Sequence, residues 1–322
     1  MRKVFLYSLP RSGSTLFQKY LARNKDTYTI SEPWIALPIV YIFKEEKVFS
    51  EYEHHLFYRS YADLKDQNID TNSLRINICK SAIDTYYKTI CPESAKVFID
   101  KTPRYSIICK ELLEMYPEDI HVVLFRHPFA CINSMINTFG NGNWCMYRFD
   151  IDLFMGASNL ADMTKEKNKN VIAFRYEDFI NNPEFYYLKL CESLDLSPDN
   201  KSEFSSVKLN GSLGDPTGDR KYGGSIGGQN EEGKWVDSFN TLYRRRWAKI
   251  FLIKFGYTNF ESLGYSIKDT QENICKSKYS LSQELKDIPH IILGFLHRHT
   301  GIYVTYVRFK NKRRKVANYG VR

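Results

Sequence analysis

The chain has 322 residues, of which 43% are hydrophobic and 26% are charged, a length and balance that support a sizeable core and exclude disordered and collagen-like proteins. Lysine and arginine outnumber aspartate and glutamate by 46 to 37, so the net charge is +9. This excess predicts an anionic partner such as a nucleotide, a sulfated glycan, a nucleic acid or a lipid surface, without choosing among them.

Five short β-rich runs alternate with helical patterns along the chain. The runs that predict strands are residues 3–8, 28–30, 97–99, 121–125 and 171–174. Helical apolar spacing is found at residues 14–24, 105–116, 129–137, 184–194 and 238–255. Alternation of this kind predicts an α/β fold, with a parallel sheet of about five strands flanked by helices.

The pattern predicts a single main domain at residues 1–265. Within it, residues 208–234 form a glycine-rich stretch that predicts a loop. Residues 266–322 are expected to be a C-terminal helical extension that is basic and partly amphipathic.

Membrane-spanning and secretory patterns are absent from the sequence. The apolar run at residues 4–9 ends at Pro10, and no later run reaches the roughly 18 apolar residues that a membrane span needs. The seven cysteines are scattered and include no CxxC pair, which is typical of reduced thiols and not of a disulfide frame or a zinc site. We therefore expect a cytoplasmic protein.

An anion-binding loop is predicted where the first strand ends. Gly13 allows the backbone to approach a ligand closely, and the N–H groups of the following helix start favour a negative charge. Ser12, Ser14 and Thr15 supply hydroxyl donors, and Arg11 supplies a planar cation. An ordinary strand–helix turn with a hydroxyl cap is the alternative. The loop is not a Walker A motif, because no lysine follows the glycine.

A second anion site is predicted after residues 121–125. Arg126 follows this strand, where a nucleoside triphosphatase would usually have an aspartate for Mg²⁺. Ser134 lies eight residues further on, so the two side chains could hold one phosphate together. A surface ion pair for Arg126 and a neutral helix position for Ser134 are the alternatives.

These two segments resemble the motifs of sulfotransferases that use 3′-phosphoadenylyl sulfate (PAPS). Residues 11–15 look like the family's 5′-phosphosulfate loop, and residues 125–128 with Ser134 look like its 3′-phosphate motif. The resemblance implies a P-loop-type sheet, PAPS as the donor, the bisphosphate PAP as the product, and no metal.

Weaker matches follow in the family's order. Residues 175–179 resemble its R-Y-E-D-L segment, which implies that Tyr176 contacts the nucleotide. Lys234 with the following tryptophan resembles a late Lys-Trp pair, which implies a contact near the 3′-phosphate. A serine of the late loop also belongs to the pattern; Ser225 is the candidate and Ser212 competes with it.

The arginine of the first loop is similar to that of the tyrosylprotein and carbohydrate branches. In the tyrosylprotein pattern a glutamate about twenty residues later is the catalytic base, which implies Glu32. The segment at residues 100–103 resembles an N-K-D-P-like motif, which implies Lys101 as a transition-state cation together with Arg11. An exposed loop carboxylate and a solvated turn are the alternatives for Glu32 and Lys101.

The resemblance thus implies transfer of a sulfuryl group from PAPS to an acceptor hydroxyl, on a carbohydrate or a glycolipid. A tyrosyl-peptide or small-alcohol acceptor and a P-loop kinase or NTPase are the alternatives. The basic tail at residues 297–322 fits a solvated terminus, non-specific binding to nucleic-acid phosphates or contact with an anionic lipid surface. No nucleic-acid partner is expected.

Overall fold

A parallel sheet forms the centre of the molecule. The computed structural model describes residues 1–45, 48, 50, 52–198, 207, 209–211, 214, 233–302, 305, 306 and 309. Within these residues five strands pair in the order β2-β3-β1-β4-β5. The strands are β1 (Arg2–Ser8), β2 (Thr27–Thr29), β3 (Val97–Lys101), β4 (Ile120–Phe125) and β5 (Val171–Arg175). The predicted α/β class and the strand number are confirmed.

The central strand β1 explains why its sequence is an unbroken apolar run. Val4 pairs with Ile99 of β3 on one side and with Ile120 of β4 on the other. Alternate side chains enter two different cores, with Phe5 on one face of the sheet and Leu6 on the other. A strand that is covered on both faces needs no polar alternation.

Helices cover both faces of this sheet. The α-helices are α1 (Ser14–Ala22), α2 (Ala36–Tyr41), α3 (His54–Asp63), α4 (Thr71–Ile90), α5 (Cys109–Met115), α6 (Pro128–Phe139), α7 (Ala157–Met163), α8 (Tyr176–Asn181), α9 (Pro183–Ser193), α10 (Leu242–Phe255), α11 (Tyr257–Ser262), α12 (Ile267–Lys276) and α13 (Leu281–His299). Helices α1, α8 and α9 pack on one face, and most of the others pack on the opposite face. None of the helices among the described residues is long and apolar enough to cross a membrane.

Two of the expected helices are interrupted. The helix expected at residues 105–116 begins instead as a 3₁₀-helix, Pro103–Ile107, and continues as α5 after a break at Ile108, whose φ of −128° is not helical. The helix expected at 238–255 is preceded by a 3₁₀-helix, Val236–Phe239. There α10 starts after Thr241, because the Thr241 side chain accepts a hydrogen bond from the Arg244 backbone N–H.

The helices of the predicted extension pack against the rest of the chain. The Arg244 guanidinium of α10 donates to both carboxylate oxygens of Asp287 in α13, over 2.6 and 2.8 Å, and both side chains are almost completely buried. Ile274 of α12 belongs to the main core. The division into residues 1–265 and 266–322 stays a prediction.

Candidate functional site

The loop after β1 has a backbone conformation that requires a glycine. Gly13 has a φ of +85° and precedes the first turn of α1. A Cβ atom at this position would lie 2.3 Å from a ring carbon of Tyr176, so any larger residue would collide with that ring. Arg11 also has a positive φ, +69°. For a non-glycine residue such strain is concentrated at functional sites.

The two predicted anion motifs meet at this loop. The Arg11 Nε atom donates to the Ser134 hydroxyl of α6 over 3.1 Å. The Arg126 guanidinium donates to the Arg11 carbonyl oxygen over 3.0 Å, and it lies 4.8 Å from the centre of the Tyr176 ring. The structure therefore brings Arg11, Arg126, Ser134 and Tyr176 together, because β1 and β4 are neighbours and end at the same edge of the sheet.

An ion pair lies at the end of β3, on the other side of β1. The Lys101 ammonium is completely buried and donates to Glu32 Oε1 over 2.9 Å. The second carboxylate oxygen, Oε2, accepts from the indole N–H of Trp34 over 3.0 Å. Trp34 has a φ of +58°, a left-handed conformation that is rare for an aromatic residue. The carboxylate of Glu32 is thus fixed by two donors.

A cavity of about 220 Å³ opens beside Arg11, Gly13, Glu32 and Trp34. Its lining residues are Pro10, Arg11, Gly13, Ser14, Thr15, Glu32, Trp34, Pro103, Arg104, Phe139, Phe149 and Gly214. The loop after β1 therefore faces the Glu32 carboxylate across one cavity. Such an arrangement places cations and hydrogen-bond donors next to a fixed carboxylate, which is what transfer of an anionic group to a hydroxyl requires.

Six predicted site residues of the described part of the chain are not among the residues that line the cavity: Ser12, Lys101, Arg126, Ser134, Tyr176 and Lys234. The Ser12 hydroxyl is buried beneath the loop, 3.3 Å from the Cys131 sulfur. Burial raises the pKa of that thiol to about 11, so Cys131 is a structural group. Lys234 is exposed. Ser225 and its competitor Ser212 lie outside the described residues.

Sequence reasoning missed four side chains of the cavity wall. Arg104, three residues after Lys101, donates to the buried Asp152 carboxylate over 3.1 and 2.6 Å. Its position just after β3 could have indicated this role. The other three are aromatic, Trp34, Phe139 and Phe149. They come from separate parts of the chain, and no local pattern marks them in a protein with 44 Phe and Tyr residues among 322.

The turn that carries Arg126 is held by a network that the sequence does not reveal. Glu177, at the start of α8, accepts from the backbone N–H of His127 over 3.1 Å and from the Tyr265 hydroxyl over 3.0 Å. The His127 ring stacks on Trp235, 4.8 Å between centres. Burial lowers the pKa of His127 to about 3. We therefore assign His127 to the support of the turn.

A buried carboxyl group stands behind the ion pair. Asp100 precedes Lys101 in β3 and is 1% exposed. It accepts a hydrogen bond from the Tyr87 hydroxyl and lies 3.5 Å from the Thr102 hydroxyl. Burial raises the pKa of Asp100 to about 7, against the opposing effect of these hydrogen bonds.

Metal ligands are not clustered in the described part of the chain. There, no group of three or more His, Cys, Asp or Glu side chains is placed to hold a metal ion. Among the described residues that line the cavity, the charged ones are Arg11, Arg104 and Glu32.

Three known proteins illustrate what this chain is similar to. Nodulation protein NoeE of Sinorhizobium fredii (strain NBRC 101917 / NGR234) is 30% identical over 138 residues, which cover 42% of this chain and 31% of that protein. The sulfotransferase domain from the curacin biosynthetic pathway is 18% identical over 82% of this chain and 97% of its own, with a TM-score of 0.49. A sulfotransferase from Alicyclobacillus acidocaldarius is 11% identical over 84% and 98%, with a TM-score of 0.45.

The model of the sulfotransferase family matches residues 3–200, which is more than half of the chain and contains β1 to β5. This chain therefore belongs to the sulfotransferase family.

Proposed function

We propose that this sulfotransferase uses PAPS as its donor and moves the sulfuryl group to a hydroxyl of a carbohydrate or a glycolipid, leaving PAP. The observation that carries the proposal is the contact of the two anion motifs. Arg11 bonds Ser134, and Arg126 bonds the Arg11 carbonyl, beside the cavity that Glu32 lines. A donor with an anionic group at each end of one adenosine matches two positive sites in one cleft.

The residues around the loop suit the two ends of such a donor. Arg126, Ser134 and the Tyr176 ring lie together and are assigned to the 3′-phosphate end. Gly13 and the hydroxyl groups of Ser14 and Thr15, which line the cavity, are assigned to the phosphosulfate end. Backbone N–H groups at the start of α1 add favourable charge there, worth about 0.3–1 kcal/mol.

The chemistry requires a base for the acceptor and cations for the developing charge. Glu32 is assigned as the base, since its carboxylate lines the cavity and each oxygen retains a lone pair beyond its bond to Lys101 or Trp34. Positioned proton transfer of this kind contributes typically 10²- to 10⁴-fold. Arg11 and Lys101 are assigned to stabilise charge in the transition state. No metal is part of this proposal, because these side chains supply the cations.

The acceptor side of the cavity supports a ring-shaped, hydroxyl-bearing substrate. Trp34, Phe139 and Phe149 supply aromatic surface, and the polar residue Arg104 lines the same wall. Sites that combine apolar faces with a few placed polar groups orient amphipathic ligands. This composition favours a sugar as the acceptor.

Isothermal titration with PAP tests the donor. We expect PAP to bind without Mg²⁺, and ATP with Mg²⁺ to bind more weakly. Micromolar binding of ATP–Mg²⁺ together with no binding of PAP would instead indicate a P-loop kinase or NTPase. The experiment is informative without knowledge of the acceptor.

Transfer of radiolabelled sulfate from PAPS to a panel of acceptors tests the second half of the proposal. The panel holds oligosaccharides, glycolipids, a tyrosyl peptide and a small alcohol. We expect label on the oligosaccharides or glycolipids. Label on the tyrosyl peptide alone would transfer the assignment to the tyrosylprotein type.

A further inference from the structure

Helix α13 has an apolar face directed toward solvent. The side chains that form this apolar face are between 43% and 61% exposed, and they are Leu281, Leu285, Ile288, Ile292, Leu293 and Phe295. All except Leu293 recur at spacings of four and three residues, which places them along one side of a helix. The opposite side of the helix contains the buried residues Asp287 and Gly294. A continuous exposed apolar face of this kind usually marks an interaction surface.

The orientation of this face is fixed by polar contacts at both ends of the helix. Near the start, Asp287 forms the buried ion pair with Arg244. Near the end, Arg298 donates to both carboxylate oxygens of Asp150 over 2.5 and 2.7 Å. Between them Gly294 lies so close to Tyr147 that a Cβ atom would be 3.2 Å from that side chain. The helix therefore presents its apolar face outward as a firmly attached element.

The charge of the same part of the chain selects the partner. Residues 288–322 contain eight Lys and Arg residues and three His residues, but no Asp or Glu residue. An exposed apolar helix face in a chain segment whose sequence is this rich in cations matches the composition of segments that lie in the interface of an anionic membrane. A second copy of the chain would carry the same excess of cations in this part of its sequence, and like charges repel.

We propose that α13 is a membrane-surface helix, with its apolar face buried among the headgroups of an anionic lipid bilayer. The helix lies in the plane of the membrane. This surface is separate from the residues assigned to donor binding and catalysis.

The attachment of α13 links the lipid surface to the cavity wall. The His297 ring of the helix contacts the Tyr147 ring at 5.4 Å between centres. Tyr147 belongs to the 3₁₀-helix Met146–Phe149, and Phe149 lines the cavity. A membrane bound to the outer face of α13 would lie about one helix diameter, roughly 10–12 Å, from this turn. An acceptor carried by a lipid would be compatible with this distance between the membrane and the turn. This consequence rests on the proposed function, whereas the proposal of lipid binding does not.

Flotation of the full chain with vesicles tests the proposal. The probes are vesicles of phosphatidylcholine alone and of phosphatidylcholine mixed with phosphatidylglycerol. We expect binding to the anionic vesicles only, weakened by salt because the cationic part is screened. The triple variant Leu285→Gln, Ile292→Gln, Phe295→Gln should bind them at least about tenfold more weakly, since its apolar face is lost.

A matched control replaces three exposed apolar residues on other helices, Ile78→Gln, Phe185→Gln and Leu188→Gln, which are 45–53% exposed in the wild type. This control should float like the wild type. Circular dichroism checks that each variant is folded, and Phe295→Gln alone keeps the test open if the triple variant unfolds. Equal binding by the α13 variants and the wild type, or equal binding to neutral and anionic vesicles, would overturn the proposal. A dimer that the α13 variants dissociate, without vesicle binding, would overturn it in favour of a second copy.

Discussion

The Arg11 guanidinium donates to the Ser134 hydroxyl over 3.1 Å, and this hydrogen bond joins the loop after β1 to the helix after β4. Arg126 reinforces the junction by donating to the Arg11 carbonyl. Arg11 is thereby held in its unusual backbone conformation, with a φ of +69°. The two motifs therefore act as one unit, and a change in either should affect the binding of the whole donor.

Replacement of Ser134 by alanine tests this coupling. Ser134→Ala removes one hydroxyl from the unit, and the net value of such a hydrogen bond is about 1 kcal/mol. We expect the affinity for PAP, measured by isothermal titration, to fall roughly fivefold. Ser193→Ala, which removes a hydroxyl bonded to Lys189 on α9, is the control and should bind PAP normally. Unchanged affinity in Ser134→Ala would contradict the assignment.

Replacement of Glu32 by glutamine separates catalysis from donor binding. Glu32→Gln keeps the size of the side chain and removes the proton acceptor, so the turnover number should fall by about 10²- to 10⁴-fold. Affinity for PAP should stay within about threefold, because the assigned nucleotide contacts are untouched. Glu111→Gln, which breaks the ion pair between Glu111 of α5 and Lys44, a residue that follows α2, is the control. A Glu32→Gln enzyme with full turnover would exclude Glu32 as the base.

Gly13 and Gly142 form a natural pair for measuring the contact between the loop and Tyr176. Both have a φ of +85°, but a Cβ at Gly13 would collide with the Tyr176 ring, whereas at Gly142 nothing lies within 4 Å. Gly142→Ala should cost about 1–2 kcal/mol of unfolding free energy through backbone strain alone. Gly13→Ala should cost an additional 1–3 kcal/mol from overpacking and should weaken PAP binding. Urea unfolding of the two variants measures the difference, and equal costs would mean that the Tyr176 ring moves away freely.

The proximity of Arg11, Arg126 and Lys101 could be predicted from the sequence. Each of these residues lies at the carboxyl end of a β-rich run or just after it, and in a parallel sheet those ends share one edge. The structure places β1 between β3 and β4, so the three ends are adjacent. Strand patterns of this kind are local, which is why sequence periodicity detects them.

Other features depend on tertiary packing and gave no such local pattern. The sequence predicts that Ser12 donates to an anion. In the structure its hydroxyl instead points inward to Cys131, because the backbone turns at the next residue, Gly13. Phe139 and Phe149 reach the cavity from the end of α6 and from the 3₁₀-helix that follows it. Neither position differs in sequence pattern from an ordinary core aromatic residue.

Asp100 should make the stability of the fold depend on pH. Burial raises its pKa from 3.8 in the unfolded chain to about 7 in the folded protein. Between these pH values the folded state holds a proton on Asp100 that the unfolded state has released. The stabilisation of the folded state that results is therefore complete below pH 3.8 and is lost as the pH rises through about 7. Within this pH range, a rise of one pH unit lowers the free energy of unfolding by at most about 1.4 kcal/mol.

Asparagine imitates the protonated carboxyl group and cannot titrate. The unfolding free energy of Asp100→Asn should therefore lack this part of the pH dependence. The difference in unfolding free energy between the variant and the wild type should shift in favour of the variant by about 1–3 kcal/mol from pH 5 to pH 8. Urea unfolding at the two pH values measures the difference, with the exposed Asp237→Asn as the control. If Asp100→Asn and the wild type keep the same difference in stability at both pH values, Asp100 is already ionised at pH 5. In that case the buried Lys101 ammonium next to it, and not protonation, compensates the cost of its burial.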